Sequence, residues 1–207
     1  MSTIKLYRHP LSGHSHRVEV LLSLLNVEAD IVDVDLKTGA HKAPEFLLKN
    51  SFGQVPALDD GEVTLSDSNA ILVYLASKYD SPRTWYPENL VEQAQVQRFL
   101  SIAAGKIAFG PAAARLVNVF GAGLDHKTAI ATSHAIFEVL EAHLSNRKWL
   151  ATEKPTIADA ANYAYIAHAP EGDVSLESYP NIRAWLTRFE ELPGFVEFGS
   201  TPVGLNA

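Results

Sequence analysis

Four short stretches hold residues whose types and spacing can do chemistry. Ser12 follows His9-Pro10-Leu11 where an alternating apolar segment gives way to a helical one, and Ser15 lies one turn further on. No G-x-S-x-G elbow surrounds either serine, so neither is set up as a hydrolase nucleophile. Asp67 and Ser68 follow a second such junction and open a helix. A helix start offers free N–H groups and positive potential to an anion. The same place suits simple capping by Ser66 or Asp67, and the two roles are compatible. His41-Lys42 sits in a loop, where its charge serves either a carboxylate or solvent. Val55-Pro56 begins a short apolar run, with Pro56 either trans at a strand start or cis. His9, His14 and His16 surround Ser12 and invite a metal reading. A zinc site needs a further ligand and an ordered spacing, and no H-E-x-x-H is present, so they read as loop and helix-face residues. Gly121-x-Gly123 mimics a dinucleotide fingerprint, but His126 holds the third glycine position and no βαβ unit surrounds it. A helix–helix loop fits better.

The bulk composition narrows the classes. The 207 residues contain no cysteine, which excludes disulfides, thiolate metal sites and cysteine nucleophiles. A net charge of -7 and no long basic run argue against nucleic acid as a partner. With 47% hydrophobic and 20% charged residues, the chain can bury a core without staples. The segment MSTIKLYRHP lacks the apolar core of a signal peptide, and no apolar stretch approaches a membrane span, so the expectation is a cytoplasmic protein.

Positioning these residues requires a mixed first part. Ile4 and Leu6 alternate with Lys5 and Tyr7 as a strand, and Val18, Leu21, Leu22 and Leu25 give a helix with one apolar face. Val32, Val34 and Leu36 read as a second strand, and a short helix is expected near 44–49. Val55 to Leu58, a turn at Asp59-Asp60-Gly61, and Val63 with Leu65 form a hairpin. A helix through Ile71, Tyr74, Leu75 and Lys78 follows. Residues 80–89 (DSPRTWYPEN) read as a linker. Beyond it strand patterns nearly vanish. Helices are expected from Leu90, kinked or ended at Gly110-Pro111, over about 125–144, after a Thr156–Asp159 capping box, and through Ile182, Trp185, Leu186 and Phe189.

The order βαβ then ββα, with Val55-Pro56 at the third strand, resembles a thioredoxin-like domain. With a helical partner it is similar to the cytosolic glutathione transferase superfamily. The likeness is densest in IKLYRHPLSGHSHRVEVLL, in GAHKAPEFLLKNSFGQVPALDDGEVTLSDSNAILVYLASKY, and in TIADAANYAYI with YPNIRAWLTRFEELPGF after it. The pattern is nearest the phi-like and theta-like classes, which use a serine near the end of the first strand. The resemblance implies an α/β thioredoxin-like glutathione-binding domain over 1–79, the linker 80–89, and an all-α domain over 90–207 that contributes the electrophile pocket. It implies Ser12 as the group that stabilises the glutathione thiolate by hydrogen bonding, with Ser15 and Tyr7 as rivals. It implies a cis Pro56, with the Val55 backbone pairing with the cysteinyl unit and Gln54 beside it. It further implies Ser68 on the γ-glutamyl carboxylate, Asp67 on its ammonium, and His41 and Lys42 on the glycyl carboxylate. Leu11 would line the pocket for a small hydrophobic electrophile. A homodimer follows from the resemblance, with Phe52 either inserted into the partner or packed on its own domain. So do detoxification as the role and no cofactor or metal beyond the co-substrate. A cysteine-dependent oxidoreductase fails for want of a thiol. A non-catalytic binding module on the same fold remains the alternative, opposed by the intact set of Ser12, Lys42, Gln54, Asp67 and Ser68.

Overall fold

The computed structural model describes residues 4–207. Its first part runs Ile4–Arg8 (β1), Gly13–Leu24 (α1), Ala29–Asp33 (β2), Pro44–Leu47 (α2), Ala57–Asp60 (β3), Val63–Ser66 (β4) and Ser68–Tyr79 (α3). The strands lie in the order β2-β1-β3-β4, with β1 and β2 parallel and the other pairs antiparallel. This is the expected thioredoxin-like arrangement. Period-two alternation sends Ile4, Leu6 and Leu58 into the main core with Val18, Leu21, Ile71 and Leu75 of α1 and α3. Tyr7 faces the other side, toward a small core of Val34, Phe46 and Ala57.

Two strands differ from expectation. β2 begins at Ala29, earlier than the Val32–Leu36 alternation suggested. Its register is set by parallel pairing to β1, Ile4 against Ala29 through Arg8 against Asp33, and not by its own pattern, since Ile31 is exposed. β3 begins only after Pro56, and Asp59 and Asp60 lie within the strand, so the turn is Gly61-Glu62, with Gly61 at φ 65°.

The second part is helical: Leu90–Ile102 (α4), Ala113–Phe120 (α5), His126–Leu144 (α6), Ile157–Ala167 (α7) and Pro180–Glu190 (α8). Between α4 and α5 the turns widen to the π type over Ala103–Ala112, with a kink at Gly110 (φ -99°, ψ -107°). The kink falls where Gly110-Pro111 placed it. The chain nevertheless continues as one helical run, which corrects the expectation that no apolar stretch is long enough to span a membrane. Leu90–Phe120 passes that test by length and composition over 31 residues, with half of its most apolar window buried inside the chain.

Every residue from Ile157 to Ile166 in α7 is buried. One face of α7 meets α1, as the rings of His16 and Tyr163 show at 5.9 Å. Sheet and α7 together enclose α1, so that Ser15, His16 and Arg17, polar positions in the amphipathic pattern, are buried as well. The capping box is formed. Thr156 Oγ1 accepts from Ala158 N, and Asp159 Oδ2 accepts from Thr156 N at 2.9 Å.

Candidate active site

β1 delivers the chain to Arg8, and His9–Leu11 turn it toward α1. Ser12, at φ -94° and ψ 114°, is the N-cap. Its N–H donates to His9 O at 2.9 Å, and its Oγ accepts from Ser15 N at 3.2 Å. A hydroxyl has one proton and two lone pairs. With one lone pair engaged by the cap, the proton is left for a partner in the adjacent cleft, where the Tyr165 hydroxyl is also within its reach. The rivals are placed elsewhere. Ser15 is fully buried, and its Oγ accepts from His9 N at 3.3 Å. The Tyr7 hydroxyl donates to Asp59 Oδ2 at 2.9 Å on the opposite face of the sheet, under Lys49.

The three nearby histidines point in three directions. His9 Nδ1 accepts from Leu11 N, and its ring meets Phe120 edge-on at 5.8 Å. His16 Nε2 lies 2.7 Å from Val196 O, and burial pulls its pKa to about 4. His14 lies edge-on to Tyr165 at 5.0 Å with Nδ1 3.4 Å from Ser68 Oγ. Desolvation, with the Arg17 charge second, lowers its pKa to about 3, so it is neutral at physiological pH. Among the described residues, no group of three His, Cys, Asp or Glu side chains is arranged to hold a metal.

The opposite wall comes from the loop before β3 and the start of α3. The Val55–Pro56 peptide is cis. Gly53 has φ 58°, and a Cβ there would lie 2.8 Å from His41 O and from Lys42 Cδ. Only glycine allows this close approach. Lys42 Nζ donates to the carbonyls of Phe52 (3.1 Å) and Gly53 (2.9 Å), and Asn50 Nδ2 donates to Gln54 O at 2.7 Å. Asp67 caps α3 from a positive-φ conformation, φ 69° and ψ 119°, with Oδ1 accepting from Asn69 N and Ala70 N, both at 2.9 Å. A non-glycine residue held there is strained, and such strain gathers at ligand sites. Ser68 Oγ receives Arg17 Nη1 at 3.3 Å, and the same nitrogen donates to Asn69 Oδ1 at 2.8 Å. Full burial lowers the Arg17 pKa to about 10, which still leaves a cation beneath the helix start at neutral pH.

One cleft of about 530 Å³ gathers Leu11, Ser12, His41, Lys42, Gln54, Val55, Pro56, Asp67 and Ser68. All the site residues named from the sequence therefore face a single space. Its apolar end is closed by Ala104, Ala108, Leu116, Phe120 and Tyr165. Sequence reasoning did not single these out, although it placed the pocket against the first helices after the linker. Tyr165 packs its ring so tightly on Gly13 that a Cβ there would meet Cζ at 2.8 Å. Burial raises the Tyr165 pKa, opposed by the charges of Arg17 and Arg115 and by the His14 backbone and Ser12 hydroxyl. In the sequence Tyr165 reads as one more apolar position of a buried helix, and nothing local marks its contact with Gly13.

Comparison with known proteins shows the family. The family model described as "Glutathione S-transferase, N-terminal domain" matches residues 2–77, and "Glutathione S-transferase, C-terminal domain" matches 125–193. Glutathione S-transferase 3 of Zea mays is 36% identical, over 94% of this chain and 92% of that one. The chain belongs to the glutathione S-transferase family. A possible glutathione S-transferase from Rhodopseudomonas palustris superposes with TM-score 0.86 at 32% identity, covering 98% of this chain and 93% of the other. A glutathione transferase homologue from Drosophila mojavensis, solved with bound glutathione, gives 0.85 at 28% identity over 93% of this chain and 90% of its own. In this transferase fold the polar wall of the cleft lies within the first matched region. Ala104, Ala108, Leu116 and Phe120 fall between the two matched regions, so the apolar end, Tyr165 apart, is built by a part of the chain that neither family model describes.

Proposed function

We propose that the cleft binds glutathione and that Ser12 stabilises its thiolate for attack on an apolar electrophile. The observation that carries this reading is the Ser12 hydroxyl, with a lone pair already committed to Ser15 N, in one cleft with the Val55 backbone, the start of α3 and Lys42. A free thiol has a pKa near 8.5 and is only a few per cent ionised at pH 7. A donated hydrogen bond that lowers it by about two units contributes roughly 2.7 kcal/mol. The sulfur then forms the new bond, and the electron pair of the broken bond leaves with the departing group. Residues 1–79 serve as the glutathione-binding unit, and 90–207 supply the electrophile wall. Lys42 has three donors, two of them spent on Phe52 O and Gly53 O, so the third suits the glycyl carboxylate, with His41 beside it. Asp67 uses Oδ1 for the cap, which leaves Oδ2 for the ammonium group. Ser68, with Arg17 donating into its oxygen, has its proton for the γ-glutamyl carboxylate. The reaction needs no cofactor or metal beyond glutathione, and a cytoplasmic detoxifying role fits it.

Calorimetric titration with glutathione, beside conjugation assays on a panel of electrophiles, tests the reading. Binding without thiol ionisation would favour the non-catalytic module. Asp67→Ala and Ser68→Ala should weaken glutathione binding about tenfold or more, as expected for charge-assisted bonds worth roughly 1.5–3 kcal/mol. Unchanged affinity in both variants would remove them from the site.

A homodimer is part of the same proposal. Phe52 is 78% exposed, so it does not pack on its own domain, and Leu48 nearby is 89% exposed. An exposed aromatic of this kind suits an anchor in a partner subunit. Sedimentation of the wild type should give a dimer, and Phe52→Ala should dissociate at low micromolar concentration. A Phe52→Ala variant that stays dimeric on dilution counts against the anchor.

A further inference from the structure

We propose that Arg115, a buried residue of α5, is a positioning residue for Ser12, acting through the carbonyl of Leu11. Arg115 is fully buried, and its Nη1 donates to Leu11 O at 2.8 Å, across a separation of 104 residues. Its Nε is held by Glu171 Oε2 at 2.6 Å, also fully buried. The other Glu171 oxygen takes Thr201 N at 2.8 Å and lies 2.9 Å from His168 Nδ1. A buried guanidinium is costly unless paired, and Glu171 supplies the pairing. The Leu11 bond satisfies a further buried N–H of the same guanidinium and ties this buried pair to the loop that carries the cleft's serine.

The effect of that bond follows from peptide geometry. The Leu11–Ser12 peptide is planar, so fixing its C=O and its N–H fixes the plane. Arg115 holds the C=O, and His9 O holds the N–H at 2.9 Å. The Ser12 oxygen is then set by the bond from Ser15 N, and only the hydroxyl proton is left to swing into the cleft. Without Arg115 the Leu11 carbonyl has no partner among the described residues. It can turn and take the Ser12 proton, or place its negative end beside the sulfur. The titratable and charged groups that border Ser12 or share its cleft include His9, His14, His41, Lys42, Asp67, Arg115 and Tyr165, and of these His14 is already neutral.

The inference rests on the reading of Ser12 as the thiol's donor, so Ser12→Ala belongs in the same experiment. The measurement is the pH–rate profile with glutathione and an activated aryl chloride, for the wild type, Arg115→Lys, Glu171→Gln and the double variant Arg115→Met with Glu171→Gln. In Arg115→Lys the apparent thiol pKa should rise by about one unit and kcat near pH 6.5 should fall about tenfold, with the KM for glutathione within about twofold. Glu171→Gln keeps the Leu11 bond, so it should lower the melting temperature yet keep the wild-type pKa. The double variant should match or exceed the lysine variant, and if it does not fold, the lysine variant decides. A folded Arg115→Lys with wild-type pKa and kcat overturns the inference, as does a Glu171→Gln variant with an equal shift. An unmoved profile in Ser12→Ala fails the thiol-donor reading itself and takes the inference with it.

Discussion

Ser12→Ala should keep glutathione affinity within about twofold while the bound thiol's pKa climbs toward its free value near 8.5. The rate at neutral pH should fall by about one to two orders of magnitude and recover in part at high pH, where hydroxide supplies the thiolate. Because Ser12 also caps α1, alanine should cost about 0.5–2 kcal/mol of stability as well. Ser12→Gly separates the two effects. Glycine forfeits only a few tenths of a kcal/mol at a cap, so it should show the same kinetic loss in a more stable protein. Ser15→Ala should do the reverse. Its own hydroxyl is fully buried and accepts the His9 N–H, so the change should lower the melting temperature and leave the profile in place. If Ser12→Gly retains wild-type rates at neutral pH, backbone N–H groups at the start of α1 carry the activation instead.

The largest stability effect is expected at Asp159. Its fully buried carboxylate accepts from Leu150 N (3.0 Å), Trp185 Nε1 (2.9 Å) and Thr156 N (2.9 Å), with Thr156 Oγ1 at 3.3 Å. Alanine would leave these buried donors without an acceptor, each at about 1–3 kcal/mol. We expect a loss of about 3–5 kcal/mol, a fall of roughly 10–15 °C in Tm, with glutathione affinity in the surviving folded protein unchanged. Burial raises the Asp159 pKa, and the donors from Leu150, Thr156 and Trp185 only partly offset it. A carboxyl raised above its unfolded value binds its proton more readily when folded. This group's contribution is therefore largest in acid and is lost as pH rises through the raised pKa. The stability gap between wild type and Asp159→Ala should widen as pH falls from neutral, when followed by thermal melts. A gap that narrows instead would mean that the donors outweigh burial.

What the sequence revealed was mostly local. The Ile4/Leu6 alternation, the Thr156–Asp159 box and the apolar spacing of α8 each depend on neighbours a few residues apart, and each was legible. β2 was misplaced because its partner fixed it: Ile31 points to solvent, while Val34, outside the strand, is buried. The site divided in the same way. Ser12, Val55, Asp67 and Ser68 announce themselves at junctions between elements. Arg17, Arg115 and Tyr165 sit mid-helix, where their types carry no signal. They come to lie in or beside the cleft because α7 packs over α1 and α5 reaches Leu11.

The absence of a seam between the two parts has a practical consequence. Leu6, Val18 and Leu75 share one continuous core with Ile157, Tyr165 and Trp185. Nicking the polypeptide within residues 80–89 should therefore leave two fragments that stay associated, since the covalent link contributes little beside that shared interior. Recombining halves from different relatives is harder for the same reason. A transplanted α7 arrives shaped for another α1, and a tyrosine facing anything larger than Gly13 would pry the donor and recipient pieces apart. Chimeras meant to exchange electrophile preference should instead graft residues 103–120, which carry most of the apolar end of the cleft, and leave the α1–α7 pair as one inheritance.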